Sequence, residues 1–275
     1  MEDRINRLGV CSWSLQPGNP AELVQSIRDT GLSRVQLALD PMREDPGWAD
    51  GPQMLEDAGI TVASGMFHTI GEDYTSPATI RETGGVVPDE HWDANLVNIR
   101  QVALIASKLG LKLVSGHAGF IPQDDKDPLF ETLVERLRAI ADIFADQFGG
   151  TLILETGQET AGTLELFLKA LDRDNVAVNF DPANMLLYDM GDPIAALTRL
   201  VRYVAQVHIK DAIRPEEEGQ WGSEVVVGTG SVDWKVFLDI LEEAGFEGGM
   251  MIEREAGDTR VADIVKGKEF IQALL

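Results

Sequence analysis

Short apolar runs alternate with longer segments of helical period along the whole 275-residue chain, and this alternation limits the fold more than any other feature. Val-, Ile- and Leu-rich runs separated by amphipathic helices are the pattern of βα units around a parallel sheet, whose strands are buried on both faces. Eight such runs stand at 8–12, 34–39, 60–66, 111–115, 151–154, 176–180, 204–209 and 249–252. The intervening segments keep one apolar face, as in Trp92, Leu96, Ile99, Ala103 and Ala106, and again in Phe130, Leu133, Leu137, Ile140 and Phe144. Eight strand–helix units with no compositional break predict an α/β chain folded as one closed (β/α)8 TIM barrel, a single domain over residues 1–275. A doubly wound open sheet is the alternative. Two stretches lack a period: residues 69–90, with Gly84, Gly85 and Pro88, which are expected to form a lid, and residues 213–231, with the run Glu216, Glu217 and Glu218 read as a solvated loop.

Charge narrows the partners. Asp and Glu number 46 against 23 Lys and Arg, a formal charge of −23. A binder of nucleic acid or of anionic lipid needs clustered cations, so no nucleic acid and no membrane partner is expected. The single cysteine, Cys11, has no internal disulfide partner, and Met1, Glu2, Asp3 and Arg4 are a poor start for a signal peptide. The expected compartment is the cytoplasm.

In (β/α)8 barrels the active site forms at the C-terminal ends of the strands, so the residues standing there carry the chemistry. From the third strand to the eighth these are His68, His117, Glu155, Asp181, His208 and Glu253. A structural sheet rarely ends apolar strands such as Leu152-Ile153-Leu154 and Met250-Met251-Ile252 with Glu; any one of these residues alone could be a solvated strand end, but four in successive units point to a shared site. If Glu155, Asp181, His208 and Glu253 converge on the barrel axis, three carboxylates need a compensating cation. A thiolate-free set of oxygens with one imidazole suits one divalent metal ion, Mn2+ first, with Mg2+, Co2+ or Zn2+ also accommodated. Such an ion acidifies the C–H beside a carbonyl, and a carboxylate on each side of that carbon takes and returns the proton through an enediolate.

Six motifs carry a resemblance to a known family: Gly9-Val10-Cys11-Ser12-Trp13, Glu155-Thr156-Gly157-Gln158-Glu159, Asn179-Phe180-Asp181-Pro182-Ala183-Asn184, Val207-His208-Ile209-Lys210-Asp211, Gly228-Thr229-Gly230-Ser231-Val232-Asp233-Trp234 and Ile252-Glu253-Arg254-Glu255. In order and spacing the chain resembles the sugar phosphate isomerase/epimerase family of xylose isomerase-like barrels. The resemblance implies that Glu155, Asp181, His208 and Glu253 ligate the metal, that Glu155 and Glu253 are also the catalytic acid/base pair, and that Arg214 contacts substrate oxygens. Two positions depart from the family's ketose 3-epimerases: Asn184 stands where they have a histidine, and Ala161 where they have a second glutamate. Substrate contacts are therefore expected to differ.

The remaining candidates each have two readings. Lys210 polarises a substrate oxygen or offsets the carboxylates. His68 and His117 contact substrate or are hydrogen-bonded in the barrel mouth. Trp13 stacks on a sugar face or closes the mouth. The turn from Gly228 to Ser231 resembles a phosphate-binding turn, but Ser231 is read as a helix cap with Asp233 in the first turn. Substrate-binding residues are thus expected among Arg214, His117, Lys210, Asn184, His68 and Trp13. With few cations to hand, the expected partner is an unphosphorylated sugar or polyol; a homo-oligomer is compatible with the pattern.

The expected activity is that of a metal-dependent isomerase or epimerase acting on a keto-sugar or related polyhydroxy carbonyl compound. The alternative is a dehydratase or lyase using the same enediolate, like inosose dehydratase or a keto-glycoside-cleaving enzyme. Two readings of another class are disfavoured. An endonuclease IV-like phosphodiesterase would need more than the four histidines present, and a non-catalytic sugar-binding protein would not keep both Glu155 and Glu253.

Overall fold

The computed structural model describes residues 5–217 and 219–275. Residues Met1 to Arg4 and Glu218 lie outside the described residues, and with them the signal-peptide reading and the end of the acidic run. In chain order the elements are β1 (Leu8–Cys11), α1 (Pro20–Thr30), β2 (Arg34–Ala38), α2 (Asp40–Glu44), α3 (Gly51–Asp57), β3 (Thr61–Met66), α4 (Pro77–Thr83), α5 (Asp89–Lys108), β4 (Leu113–Gly116), α6 (Pro128–Phe148) and β5 (Thr151–Glu155). They continue with α7 (Ala161–Leu171), β6 (Val176–Phe180), α8 (Pro182–Leu187), α9 (Pro193–Leu200), β7 (Val204–Ile209), β8 (Asp211–Ile213), β9 (Ser223–Val225), α10 (Trp234–Glu243), β10 (Gly249–Ile252) and α11 (Arg260–Leu274).

Eight strands close a parallel barrel in the order β1-β10-β7-β6-β5-β4-β3-β2, which is the (β/α)8 architecture. These are the eight apolar runs, with ends shifted by a residue or two. Side-chain alternation sorts each strand. On β7, Val207 and Ile209 join the apolar layer between barrel and helices, whereas Gln206 and His208 point to the barrel interior and hydrogen-bond there. The helical faces pack as their period requires: Phe130, Leu133, Leu137, Ile140 and Phe144 of α6 are all in the core, as are Ile99, Ala103 and Ala106 of α5. No helix among the described residues is long and apolar enough to cross a membrane.

Both irregular stretches contain structure too short to show a period. Within 69–90 lies α4, one seven-residue helix whose capping box pairs Ser76 and Thr79. The stretch is tied down where Gly85 N–H donates to Glu72 and Val86 N–H to the Ala118 carbonyl. Within 213–231, β9 pairs antiparallel with β8, Ile213 opposite Ser223. The cap of α10 is Asp233, whose side chain accepts from Val236 N–H, and not Ser231, whose N–H instead donates to the Ala212 carbonyl.

Candidate active site

Glu155, Asp181, His208 and Glu253 meet at the C-terminal end of the barrel, because β5, β6, β7 and β10 are neighbours in it. Their ligand atoms all lie within 4.8 Å of one another. His208 Nδ1 is 3.4 Å from Glu155 Oε1, 3.5 Å from Asp181 Oδ2 and 3.3 Å from Glu253 Oε2. All four residues are buried. Glu155 Oε2, Asp181 Oδ2, His208 Nδ1 and Glu253 Oε2 make no hydrogen bond. The Lys210 ammonium stands beside the cluster, 2.9 Å from Glu253 Oε2 and 3.9 Å from Asp181 Oδ2.

Buried polar atoms left without partners are costly, and these four face one another across a space of ion-ligand dimensions. Three hard oxygens and an imidazole nitrogen are the donor set of a divalent cation such as Mn2+ or Mg2+. The residues present therefore fit the ion that the strand ends imply.

Each of the four side chains is held by a neighbour. Asp181 caps α8: its Oδ1 accepts from Ala183 and Asn184 N–H, which leaves Oδ2 free to face the cluster. Asn184 Nδ2 donates to Glu155 Oε1 at 3.0 Å, and Trp13 Nε1 donates to Glu253 Oε1 at 2.6 Å. Gly157, with φ +133°, permits the first of these contacts, because a Cβ there would collide with Asn184. His208 Nε2 lies 2.8 Å from Gln36 Oε1 and 2.9 Å from Asn179 Nδ2, and these contacts turn Nδ1 towards the carboxylates. Behind the imidazole a polar column fills the barrel: Gln206 Nε2 donates to Asn179 Oδ1, and Ser64 Oγ to Gln206 Oε1.

The electrostatics follow from this crowding. Burial disfavours charge on every member, and for Asp181 it wins, pushing the carboxyl up to about 6 against the pull of Lys210 and His208. For Glu253 burial is outweighed by Lys210 and His208, which hold its carboxyl well below the usual carboxylate range. The neighbouring carboxylates likewise overcome the burial of His208 and raise its pKa well above 6.5.

A cavity of about 300 Å³ opens onto the cluster, and Glu155 and Glu253 line its floor. Of the expected substrate contacts, Trp13, His68, His117, Asn184 and Lys210 line it as well. Lys210 stands two residues beyond His208, on the same side of the chain, and also pairs with Glu255 at 2.6 Å. Arg214 is not among the lining residues: it pairs with Asp189 and donates to the Gly191 carbonyl, outside the cavity. The upper wall was not anticipated. It is aromatic, formed by Tyr74 of the 69–90 stretch, Tyr188 after α8 and Trp221 of the β8–β9 connection, with the Tyr188 and Trp221 rings 4.8 Å apart. These residues stand away from strand ends, where the barrel rule does not look.

The glycine turn before α10 presents its N–H groups to Asp211. The buried carboxylate accepts from Gly228, Gly230 and Val232 N–H and from Trp234 Nε1, and a Cβ on Gly230 would collide with it.

Inosose dehydratase of Clostridium botulinum (strain Eklund 17B / Type B) is 30% identical over 134 residues, covering 42% of this chain and 44% of that enzyme, so the chain matches less than half the length of this curated relative. A crystal structure of a xylose isomerase domain protein from Planctomyces limnophilus superposes with a TM-score of 0.85 at 32% identity, over 91% of both chains. A structure of L-ribulose 3-epimerase superposes at 0.74 over 98% of this chain and 94% of that one, with 18% identity, a likeness of fold alone. The xylose isomerase-like TIM barrel profile matches residues 24–274, and the chain belongs to that family.

Proposed function

We propose that the chain is a divalent-metal-dependent isomerase or epimerase that moves a proton on a keto-sugar or related polyhydroxy carbonyl compound. The observation that supports it is the convergence of four buried ligand atoms that make no hydrogen bond on a cavity bordered by two carboxylates. An ion held by Glu155, Asp181, His208 and Glu253, manganese in the first instance, would supply Lewis acidity beside the substrate carbonyl. Glu253 is kept ionised by Lys210 and is oriented by Trp13, so it is suited to take the proton from the carbon next to the carbonyl. Glu155, oriented by Asn184 on the other side, takes a proton from solvent and passes it to the enediolate, and Glu253 gives the proton it took back to solvent. His117 and His68 reach substrate hydroxyls from the cavity wall. A neutral polyol suits this wall better than a phosphate ester, because Lys210 is already committed to Glu253 and Glu255, and Arg214 to Asp189. The setting in which such an enzyme meets soluble sugars is the cytoplasm.

The test is deuterium entry at the carbon α to the carbonyl, followed by NMR with Mn2+-loaded protein and candidate ketoses in D2O. Exchange is expected, falling about 10²- to 10⁴-fold in Glu253→Gln. A site that takes up no metal, or undiminished exchange in that variant, would overturn the reading. A second reading lets the same enediolate expel water, and the match to inosose dehydratase favours it. An unsaturated product, seen by its ultraviolet absorbance, would then replace the epimer.

A further inference from the structure

Cys11 has no part in the chemistry proposed above, yet the barrel brings it to the back of the metal cluster. Val10 of β1 lies opposite Ile252 of β10, so Cys11 and Glu253 leave their strands side by side. The Cys11 sulfur is 3.7 Å from His208 Nε2 and within 4.8 Å of a Glu253 carboxylate oxygen. Gln36 closes the same space: its Oε1 lies 3.6 Å from Cys11 Sγ and 2.8 Å from His208 Nε2, while Nε2 of this fully buried amide makes no hydrogen bond. Bonds of about 2.3 Å to sulfur and 2.0–2.1 Å to nitrogen put those two atoms about 3.6 Å apart on one tetrahedral zinc ion, and Cys11 Sγ and His208 Nε2 already stand at that separation. A thiolate, an imidazole and a carboxylate, with an amide oxygen beside them, make a softer set than the three carboxylates that face Nδ1. The way in is that of the first set, because Glu253 lines the cavity and belongs to both.

We propose that Cys11, His208 and Glu253 form a second ligand set, overlapping the first and selective for thiophilic ions such as Cd2+ and Zn2+, whose occupation stops the enzyme. As the sulfur–metal bond forms, the thiol proton leaves to solvent, and no electron is transferred. A soft ion so held engages the Glu253 carboxylate and disturbs the Gln36 contact that aims Nδ1 at the first set. Since the two sets share His208 and Glu253, a hard ion in one and a soft ion in the other compete. The loss of activity rests on the proposed proton transfer at Glu253; the binding of the soft ion does not.

The experiment titrates Cd2+ into the chelator-treated full-length protein. One equivalent should bring up the ultraviolet charge-transfer band of a cadmium-bound thiolate, and Mn2+ should bring up none. Cys11 is the single cysteine, so Cys11→Ser should abolish the band and weaken Cd2+ binding by about tenfold or more, at least the cost of losing an outer-shell partner. Asp181→Asn, which alters only the first set, should keep the band. Cadmium NMR of the wild type reads the same ligand without any variant, because a sulfur ligand moves the resonance far from the range of oxygen and nitrogen ligands. Deuterium exchange on the Mn2+-loaded protein is followed in parallel, and Cd2+ should stop it about tenfold less readily in Cys11→Ser. A wild type with no band and a resonance in the oxygen and nitrogen range overturns the site, as does a band that survives Cys11→Ser; equal inhibition of the two proteins overturns the control of activity. A band in a protein that shows no exchange leaves the soft set standing and refutes the reaction, and exchange without a band does the reverse.

Discussion

Gln36 Oε1 lies 2.8 Å from His208 Nε2, across the barrel interior from β2 to β7. That contact orients the imidazole and aims Nδ1 at the three carboxylates. A partner of this kind typically contributes 10- to 100-fold to metal affinity. Gln36→Met, near in volume, should therefore weaken Mn2+ binding by about that factor in a calorimetric titration, while circular dichroism shows the fold retained.

Metal uptake should also raise thermal stability. An ion that binds only the folded chain contributes about 2.7 kcal/mol at a hundred times its Kd, which for a chain of this size is a rise of about 5 °C or more in Tm. Differential scanning calorimetry should show that rise with Mn2+, its reversal by chelator, and its absence in Asp181→Asn.

The Asp40–His68 pair gives a pH dependence. Hydrogen bonding to Asp40 outweighs burial and raises the His68 pKa above 6.5. The stabilisation is complete below the unfolded value and is lost as pH rises through the folded one. The NMR titration of the His68 ring should have its midpoint above 6.5 in the wild type and lower in Asp40→Asn. A midpoint unmoved by the substitution would mean that the pair does not act on the ring.

Glu159 is buried beside the site, outside the cavity lining, and burial pushes its carboxyl up to about 8 from 4.5. Between those values the unfolded chain gives up this proton and the folded chain keeps it, so stability falls as pH rises through the window. Glu159→Gln removes the loss. Urea midpoints should coincide for variant and wild type near pH 4.5, and should favour the variant by about 2 kcal/mol or more near pH 8.

Asp211 accepts hydrogen bonds from four other residues in the glycine turn and α10. Asp211→Ala would orphan those donors together and should lower stability by about 3–5 kcal/mol in urea denaturation. Asp211→Asn keeps part of the cluster and should lose less.

The barrel was legible because eight apolar runs and the helical faces between them repeat a local rule, and Glu155, Asp181, His208 and Glu253 were legible because each ends such a run. The polar column was visible in outline: Gln206 and His208 alternate with Val207 and Ile209, and only the inward face of a strand would carry them both buried. Which partner each polar group takes depends on barrel register, which no single strand encodes. Tyr188 and Trp221 arrive from a helix end and from the connection between two three-residue strands, elements too short for any period. Arg214 sits where the family resemblance expects a substrate contact, but the sequence does not show that Asp189 and Gly191 will draw it aside.

The filled glycine turn has a consequence for chemistry in a cell. Loops after the late strands of a barrel commonly seat a phosphate with backbone N–H groups, and the turn from Gly228 to Val232 has the form of such a seat. Asp211 occupies it from within, as a tethered anion whose local concentration no free metabolite can match. Phosphorylated sugars and inorganic phosphate, abundant competitors for an open seat, are thereby kept from using this turn to hold themselves at the barrel mouth.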